Sequence, residues 1–337
     1  MILIFDVAAS ESGALTILQE WYREALADSE RQYVFVVSTP ELESQRNVVV
    51  LRFPWVKKSW FHRLWFERFF ARKIAARYEP DTVISLQNIL VSGIDAPQTV
   101  YLHNPLPLGL TDARFSLLEA PRLWVYQHMI GRGIRRSVER CDRVVTQTDW
   151  MRRRCAASWG VDPSKIEVRR PESFTCCTAE GFAAFVPSQP LTFFYPATPL
   201  LYKNHSLILD ACGELAKLGV GGYRIVFTLD ESDVRARHVL SRVREEDLPI
   251  EFAGRLSADR MAHMYKRSVL LFPSYLETWG VPISEASHFG APLLLADCEY
   301  AHETVGEYAD VEYFDPHDAH DLAQTMIKAV ERFACEK

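Results

Sequence analysis

One rhythm constrains this chain more than any other feature. Short apolar runs alternate with helix-length stretches from end to end, and the alternation breaks once. In the first half the strand-like runs are Ile2–Phe5, Tyr33–Ser38, Val48–Phe53, Thr82–Leu86, Thr99–Leu102, Arg143–Thr146 and Lys165–Val168. Helix-like segments lie between several of them, notably Leu15–Ala27, Trp60–Tyr78 and Leu123–Glu139. Such alternation predicts a mainly parallel sheet covered on both faces. From about Pro171 to Pro190, three further breakers (Gly181, Pro187 and the closing proline) and several Ser and Thr interrupt the pattern, as a linker does. The rhythm then restarts with strand-like Leu191–Tyr195, Arg224–Thr228, Ile250–Ala253, Val269–Pro273 and Pro292–Leu295, and helix-like His205–Lys217, Ala258–Lys266, Ile283–His288 and Ala319–Ala334. At 337 residues the chain is too long for one core and suits two domains of ~150 residues. The expectation is an α/β protein: a domain over 1–170, a linker over 171–190 and a second domain over 191–337, both doubly wound, with a cleft between them. Ligands in such sheets sit beyond the carboxyl ends of the strands.

Charge narrows the classes of partner. A net charge of −6 argues against a dedicated nucleic-acid binder. The halves differ: residues 1–170 hold 24 Lys/Arg and 19 Asp/Glu, whereas residues 171–337 hold 14 and 25. The positive half suits an anionic surface or a phosphorylated acceptor. Seven cysteines at irregular positions, with no Cys-x-x-Cys, point to a reducing cytoplasm rather than a disulfide framework or zinc site. Met1 to Phe5 lacks a positive leader region and reads as a buried strand, and no apolar run approaches the ~18 residues of a membrane span.

The chemistry concentrates in residues 272–286, Phe-Pro-Ser-Tyr-Leu-Glu-Thr-Trp-Gly-Val-Pro-Ile-Ser-Glu-Ala. A buried strand ends at Pro273, a loop carries Glu277 and turns at Gly280, and Pro282 suits the first turn of a helix. Free N–H groups around Trp279, Gly280, Val281 and Ile283 and the positive helix end suit a diphosphate. Carboxylates beside a phosphate repel it, so Glu277 and Glu285 serve better as acceptors for paired hydroxyls of a ribose or sugar. Lys203, after the first strand of the second half, supplies a cation for the diphosphate.

This segment resembles the E-x7-E signature of retaining, family-4-type (group 1) glycosyltransferases with the GT-B fold, with Glu277 and Glu285 at that spacing. Phe252-Ala253-Gly254-Arg255-Leu256, Met264-Tyr265 and Gly290-Ala291-Pro292 continue the likeness, which is close over about Leu191 to Ala329 and looser before it. The resemblance implies two Rossmann-like domains facing a central cleft, with a nucleotide-diphosphate sugar as donor. It implies that Glu285 accepts the ribose hydroxyls, that Glu277 lies near the donor sugar, and that Lys203 binds the diphosphate. Gly13 matches the glycine of the first loop, where backbone approaches phosphate, and His103 matches a histidine at a strand end near the sugar. The family's Arg about six residues before the lysine is replaced by Ala197-Thr198-Pro199, for which Arg255 is a substitute, and the chain stops at Lys337, where family members often continue into a further helix.

Asp-x-Asp, a common cradle for a metal-bound diphosphate, occurs nowhere, so no metal and no other cofactor is expected. His317, Asp318, His320 and Asp321 read as a capped helix start rather than a metal site. The segment 55–73 combines Trp55, Trp60, Phe61, Trp65, Phe66, Phe69 and Phe70 with six basic residues, which suits both a covering helix and an anionic membrane interface. On a helical wheel the two sets do not separate. The expected function is a cytoplasmic, peripherally membrane-associated hexosyltransferase acting on a glycan or lipid-linked acceptor in bacterial surface polysaccharide synthesis. The alternatives are a nucleotide-sugar epimerase of the same fold, which needs no acceptor, and a non-catalytic nucleotide-sugar-binding module, which turns over no donor.

Overall fold

Seven short runs of Ile, Val, Leu and aromatic residues form one wholly parallel sheet in the first unit, Met1–Glu172. A computed structural model describes residues 1–9, 12–109, 114–171 and 185–334. Most of the expected 171–190 linker therefore lies outside the described residues. The strands are β1 (Ile2–Asp6), β2 (Tyr33–Val37), β3 (Val48–Arg52), β4 (Thr82–Ser85), β5 (Gln98–Leu102), β6 (Arg143–Thr146) and β7 (Ile166–Val168), in the order β3-β2-β1-β4-β5-β6-β7. The helices are α1 (Ser12–Ala27), α2 (Trp60–Trp65), α3 (Ala71–Tyr78), α4 (Pro121–Val125), α5 (Gly131–Arg140) and α6 (Asp149–Trp159). Strand side chains alternate between two buried layers. Ile2 and Ile4 pack with Ile17 and Leu18 of α1, while Leu3 and Phe5 pack with Phe66 and Ile74 beneath the other face. Burial on both faces is what a parallel sheet requires.

The second unit, Ser173–Lys337, repeats the plan. Its strands are β8 (Leu191–Tyr195), β9 (Tyr223–Phe227), β10 (Ile250–Phe252), β11 (Ser268–Phe272), β12 (Leu293–Ala296) and β13 (Val311–Phe314), in the order β10-β9-β8-β11-β12-β13 and all parallel. Its helices are α7 (His205–Lys217), α8 (Arg237–Glu245), α9 (Ala258–Tyr265), α10 (Val281–His288), α11 (Glu299–Val305) and α12 (Ala319–Ala334). The chain starts at the middle strand, builds outward to β10, then returns to β11 on the other side of β8. The strand order thus reverses between β8 and β11, and their diverging connections open a crevice above the sheet. Tyr195 closes the floor there, fully buried among His205, Phe227 and Phe272 at centroid distances of 4.8, 6.1 and 5.6 Å.

The alternation in sequence located most of these elements but passed over β13, α6, α8 and α11 as elements. β13 is a half-exposed edge strand, Val-Glu-Tyr-Phe, with no continuous apolar run to mark it, and α11 has only seven residues. The mixed segment 55–73 divides between two environments. Phe66 is buried and Trp55 and Phe70 pack against it, whereas Trp60 and Phe61 are 63% and 68% exposed and Leu64, Trp65 and Phe69 lie on the same open side. A turn of π-helix, Phe66–Phe70, joins α2 to α3 and rotates the inward face, which is why a wheel of constant period mixed the two sets. Another π turn, Tyr126–Ile130, joins α4 to α5. Among the described residues no helix is long and apolar enough to cross a membrane.

Candidate functional site

The loops after β8 and β11 are stitched together above the reversal point. After β8 the chain makes a single 3-10 turn, Leu201–Lys203, and passes through Asn204 at φ +59 before α7 begins. Asn tolerates that left-handed backbone because its side chain binds locally. Here Asn204 Nδ2 donates to Pro273 O at 3.3 Å and Pro316 O at 2.8 Å, tying together the loops after β8, β11 and β13. Tyr195 OH donates to Lys203 O at 2.6 Å, and Tyr275 N–H donates to Tyr202 O at 3.1 Å. Every one of these anchors is buried or half-buried, so the crevice has fixed walls.

Lys203 and Glu277 meet in this frame. Lys203 Nζ pairs with Glu277 Oε1, and the two side chains are 17% and 14% exposed. Ser274 Oγ lies 2.8 Å from the same oxygen. From α11, Tyr300 OH donates to Ser274 O and Thr304 Oγ1 donates to Trp279 O, so that helix straps the loop carrying Glu277. Trp279 Nε1 donates to Ser284 Oγ at 2.8 Å.

Gly280 caps α10 at φ +81, a conformation that favours glycine. A Cβ there would stand 3.0 Å from Ile283 Cδ1 and 3.3 Å from a Tyr300 ring carbon. Pro282 follows in the first turn, as the sequence suggested. One expectation needs correction. The Ile283 N–H is not free, because it donates to Gly280 O at 2.8 Å in closing the cap turn. The N–H groups of Trp279, Gly280 and Val281 show no hydrogen bond among the described residues.

Glu285 sits one turn into α10, and its carboxylate meets α9. Tyr265 OH donates to Glu285 Oε2 at 2.6 Å. Burial pushes the Glu285 carboxyl above its ordinary pKa, and the Tyr265 hydrogen bond works against that. The two acids are thus held by different elements, Glu277 beside the β8 loop and Glu285 beside α9. Arg255 is exposed on the turn after edge strand β10, two strand spacings or about 10 Å from the end of β8.

The remaining candidates lie in the first unit. Gly13 is the second residue of α1 rather than a loop residue, and among the described residues nothing beyond its chain neighbours and its own helix backbone comes within 4 Å of a Cβ built on it. The helix starts earlier than the sequence suggested, and Ser10 and Glu11, on its approach, lie outside the described residues. His103 directly follows β5. Its backbone N–H donates to Asn88 Oδ1 at 2.8 Å, which turns the Asn88 amide nitrogen toward His103 Nε2 at 3.2 Å. That arrangement makes Nε2 an acceptor and leaves the ring proton on Nδ1, an inference from the network. Burial lowers the His103 pKa to about 4, so the ring is neutral near pH 7. Among the described residues His103 Nδ1 is buried without a hydrogen-bond partner.

Sequence reasoning missed three things here. The pairing of Lys203 with Glu277 and of Tyr265 with Glu285 had no local signal. Nor did Asp6, at the end of β1, which is 1% exposed and accepts from Ala9 N–H at 3.0 Å. Burial lifts its carboxyl to about 7 despite the backbone of Ala9 and Ala8 and the charges of Lys57 and Arg63.

Comparison with known proteins decides the family. A family model described as glycosyl transferases group 1 matches residues 182–332, and one described as glycosyltransferase family 4 matches residues 13–170. The chain belongs to the group 1 glycosyltransferases. No curated protein matches it in sequence. Among solved structures this glycosyltransferase is similar to the sucrose-phosphate synthase of Thermosynechococcus elongatus, at TM-score 0.73 and 16% identity, covering 99% of this chain and 90% of that one. It is also similar to WaaG, a glycosyltransferase involved in lipopolysaccharide biosynthesis, at TM-score 0.72 and 13% identity over 99% and 92% of the two chains. A third likeness is to HepE of Anabaena in complex with UDP-glucose, at TM-score 0.66 and 15% identity over 99% and 90%. At such identities these likenesses speak for the fold, which is of the GT-B type with two Rossmann-like units.

Proposed function

We propose that this glycosyltransferase moves a hexose, with retention of anomeric configuration, from a nucleotide-diphosphate donor to a glycan or lipid-linked acceptor in bacterial surface polysaccharide synthesis. What supports the reading is that the segments following β8 and β11 carry a lysine paired with one acid, a second acid held by α9, and the bare N–H groups of Gly280 and Val281. The donor diphosphate sits on those N–H groups at the positive end of α10. Lys203 turns from Glu277 to the phosphates, and Glu277 is released toward the donor sugar. Glu285 accepts the ribose hydroxyls. As the glycosidic bond breaks, charge builds on the leaving diphosphate, and Lys203 with the oriented amides stabilises it without reorganisation. The absence of Asp-x-Asp supports a site in which these groups supply the positive charge without a metal. HepE, the similar Anabaena protein, is described in complex with UDP-glucose, which supports a nucleotide-sugar donor here.

The first unit presents the acceptor in this reading. The backbone at Gly13 leaves room for a close approach, and His103 at the end of β5 keeps a neutral ring near pH 7. The open face of α2 and of the π turn after it, with Trp60, Phe61, Leu64, Trp65 and Phe69 beside basic Lys57, Lys58, Arg68, Arg72 and Lys73, suits the anionic inner face of the plasma membrane. A cytoplasmic enzyme held there meets a lipid-linked acceptor at its surface.

Calorimetry with UDP, GDP and ADP sugars tests the reading. One of them binds wild-type protein, and Glu285→Ala weakens it by roughly tenfold or more. Unchanged affinity in that variant refutes the role of Glu285. Turnover of a donor without any acceptor favours the epimerase alternative instead.

A further inference from the structure

Tyr265 lies at the last position of α9 with only 1% of its surface exposed. Its ring stacks on Phe289 at 6.1 Å and meets the edge of Phe194 at 5.5 Å, so it cannot swing. The hydroxyl has one direction to point, and it donates to Glu285 Oε2 at 2.6 Å. Burial and the nearby Glu285 carboxylate push the phenol pKa well above its ordinary value, so the group remains a donor at any working pH. A carboxylate held at one oxygen by a rigid donor loses its freedom to rotate, and its other oxygen is left to accept. In helix α10 an unsupported Glu would instead sample several rotamers.

We propose that Tyr265 is a positioning residue for donor recognition: it fixes the carboxylate plane of Glu285 so that the free oxygen meets the neighbouring hydroxyls of the donor ribose. The inference rests on the reading of Glu285 as the acceptor for those hydroxyls. It gives that site a specificity. A preset carboxylate gains most from a ribose bearing both hydroxyls and loses one of its two donors to a 2′-deoxyribose, a penalty that a freely rotating carboxylate relieves.

The experiment compares wild type, Tyr265→Phe, Glu285→Gln and the double variant by calorimetry, with UDP, GDP and ADP and their 2′-deoxy counterparts as probes. Phe keeps both ring contacts, and a thermal melt without ligand confirms folding. In wild type the ribose form of the bound nucleotide binds roughly tenfold better than the deoxy form. Tyr265→Phe reduces that ratio severalfold. In the Glu285→Gln background the same change has no further effect, as expected for residues acting through one another.

Binding also falls as pH drops, because ribose hydroxyls donate to the ionised acid. The packed neighbours of α10 bring few other titratable groups to bear. From α11, Tyr300 is committed to Ser274 O, β11 and β12 contribute no titratable side chain, and the charged residues of α9 (Asp259, Arg260, His263) and α11 (Glu299, His302, Glu303) are not what shifts Glu285. Loss of the Tyr265 donation lets burial raise the Glu285 pKa further, so the fall begins at higher pH in Tyr265→Phe. An unchanged ribose-to-deoxyribose ratio and pH profile overturn the role of Tyr265, as do additive losses in the double variant. If Glu285→Gln itself leaves nucleotide affinity and the ratio intact, the reading of Glu285 fails instead.

Discussion

Lys203→Met separates the structural and the ligand-binding duties of one ammonium group. Methionine keeps an unbranched stem of similar length and removes the charge, with it the ammonium 5.7 Å from the Tyr202 ring centroid. Glu277 is then stranded, 14% exposed, with Ser274 Oγ at 2.8 Å as its remaining hydrogen-bond partner from the loop. Breaking a fully buried pair costs ~3–5 kcal/mol, and breaking an exposed one ~0–1 kcal/mol. At 17% and 14% exposure, with one hydroxyl still in place, the cost falls between these limits, at about 2 kcal/mol. For a unit of this size that lowers the melting temperature by about 4–8 °C. Scanning calorimetry on the full chain measures it, reading the transition that carries the second unit. Adding Glu277→Gln removes the stranded charge and recovers most of the loss, a coupling of about 1–2 kcal/mol. Ligand binding supplies the other half. Lys203→Met weakens a nucleoside diphosphate far more than the bare nucleoside. An unshifted melting temperature, additive effects of the two substitutions, or equal losses for diphosphate and nucleoside each refute the reasoning.

Asp6 and the aromatic face of α2 carry further expectations. The Asp6 carboxyl is raised in the folded chain from 3.8 to about 7 by burial, so its contribution to stability is full below the unfolded value and is lost as pH rises through about 7. Asp6→Asn removes that loss, and urea unfolding shows the variant gaining on wild type between pH 5 and pH 8; a gap independent of pH contradicts the shift. Replacing Phe61, Trp65 and Phe69 by Ser leaves the melting temperature nearly unchanged, because all three are exposed, but lowers sedimentation with anionic vesicles severalfold. Equal sedimentation of variant and wild type removes the membrane from the reading.

The sequence by itself determined the layered plan and the signature loop. Runs such as Leu191–Tyr195 and Ser268–Phe272 are apolar on both faces, which only a covered parallel strand satisfies, and Gly280 with Pro282 dictates a turn into a helix from local sterics alone. These features are short-range, and residue spacing records them. The elements it obscured broke a simple period: the half-exposed edge strand β13, and the π turn at Phe66–Phe70 that rotated the buried face of a mixed aromatic helix. The tertiary structure alone decided who touches whom. Lys203 reaches Glu277 across 74 residues of chain, and Tyr265 reaches Glu285 across 20, because parallel crossovers bring the ends of separate strands and helices to one crevice. Burial is likewise a property of the assembled sheet, and it is burial that lifts Asp6 and Glu285 and silences the charge of His103.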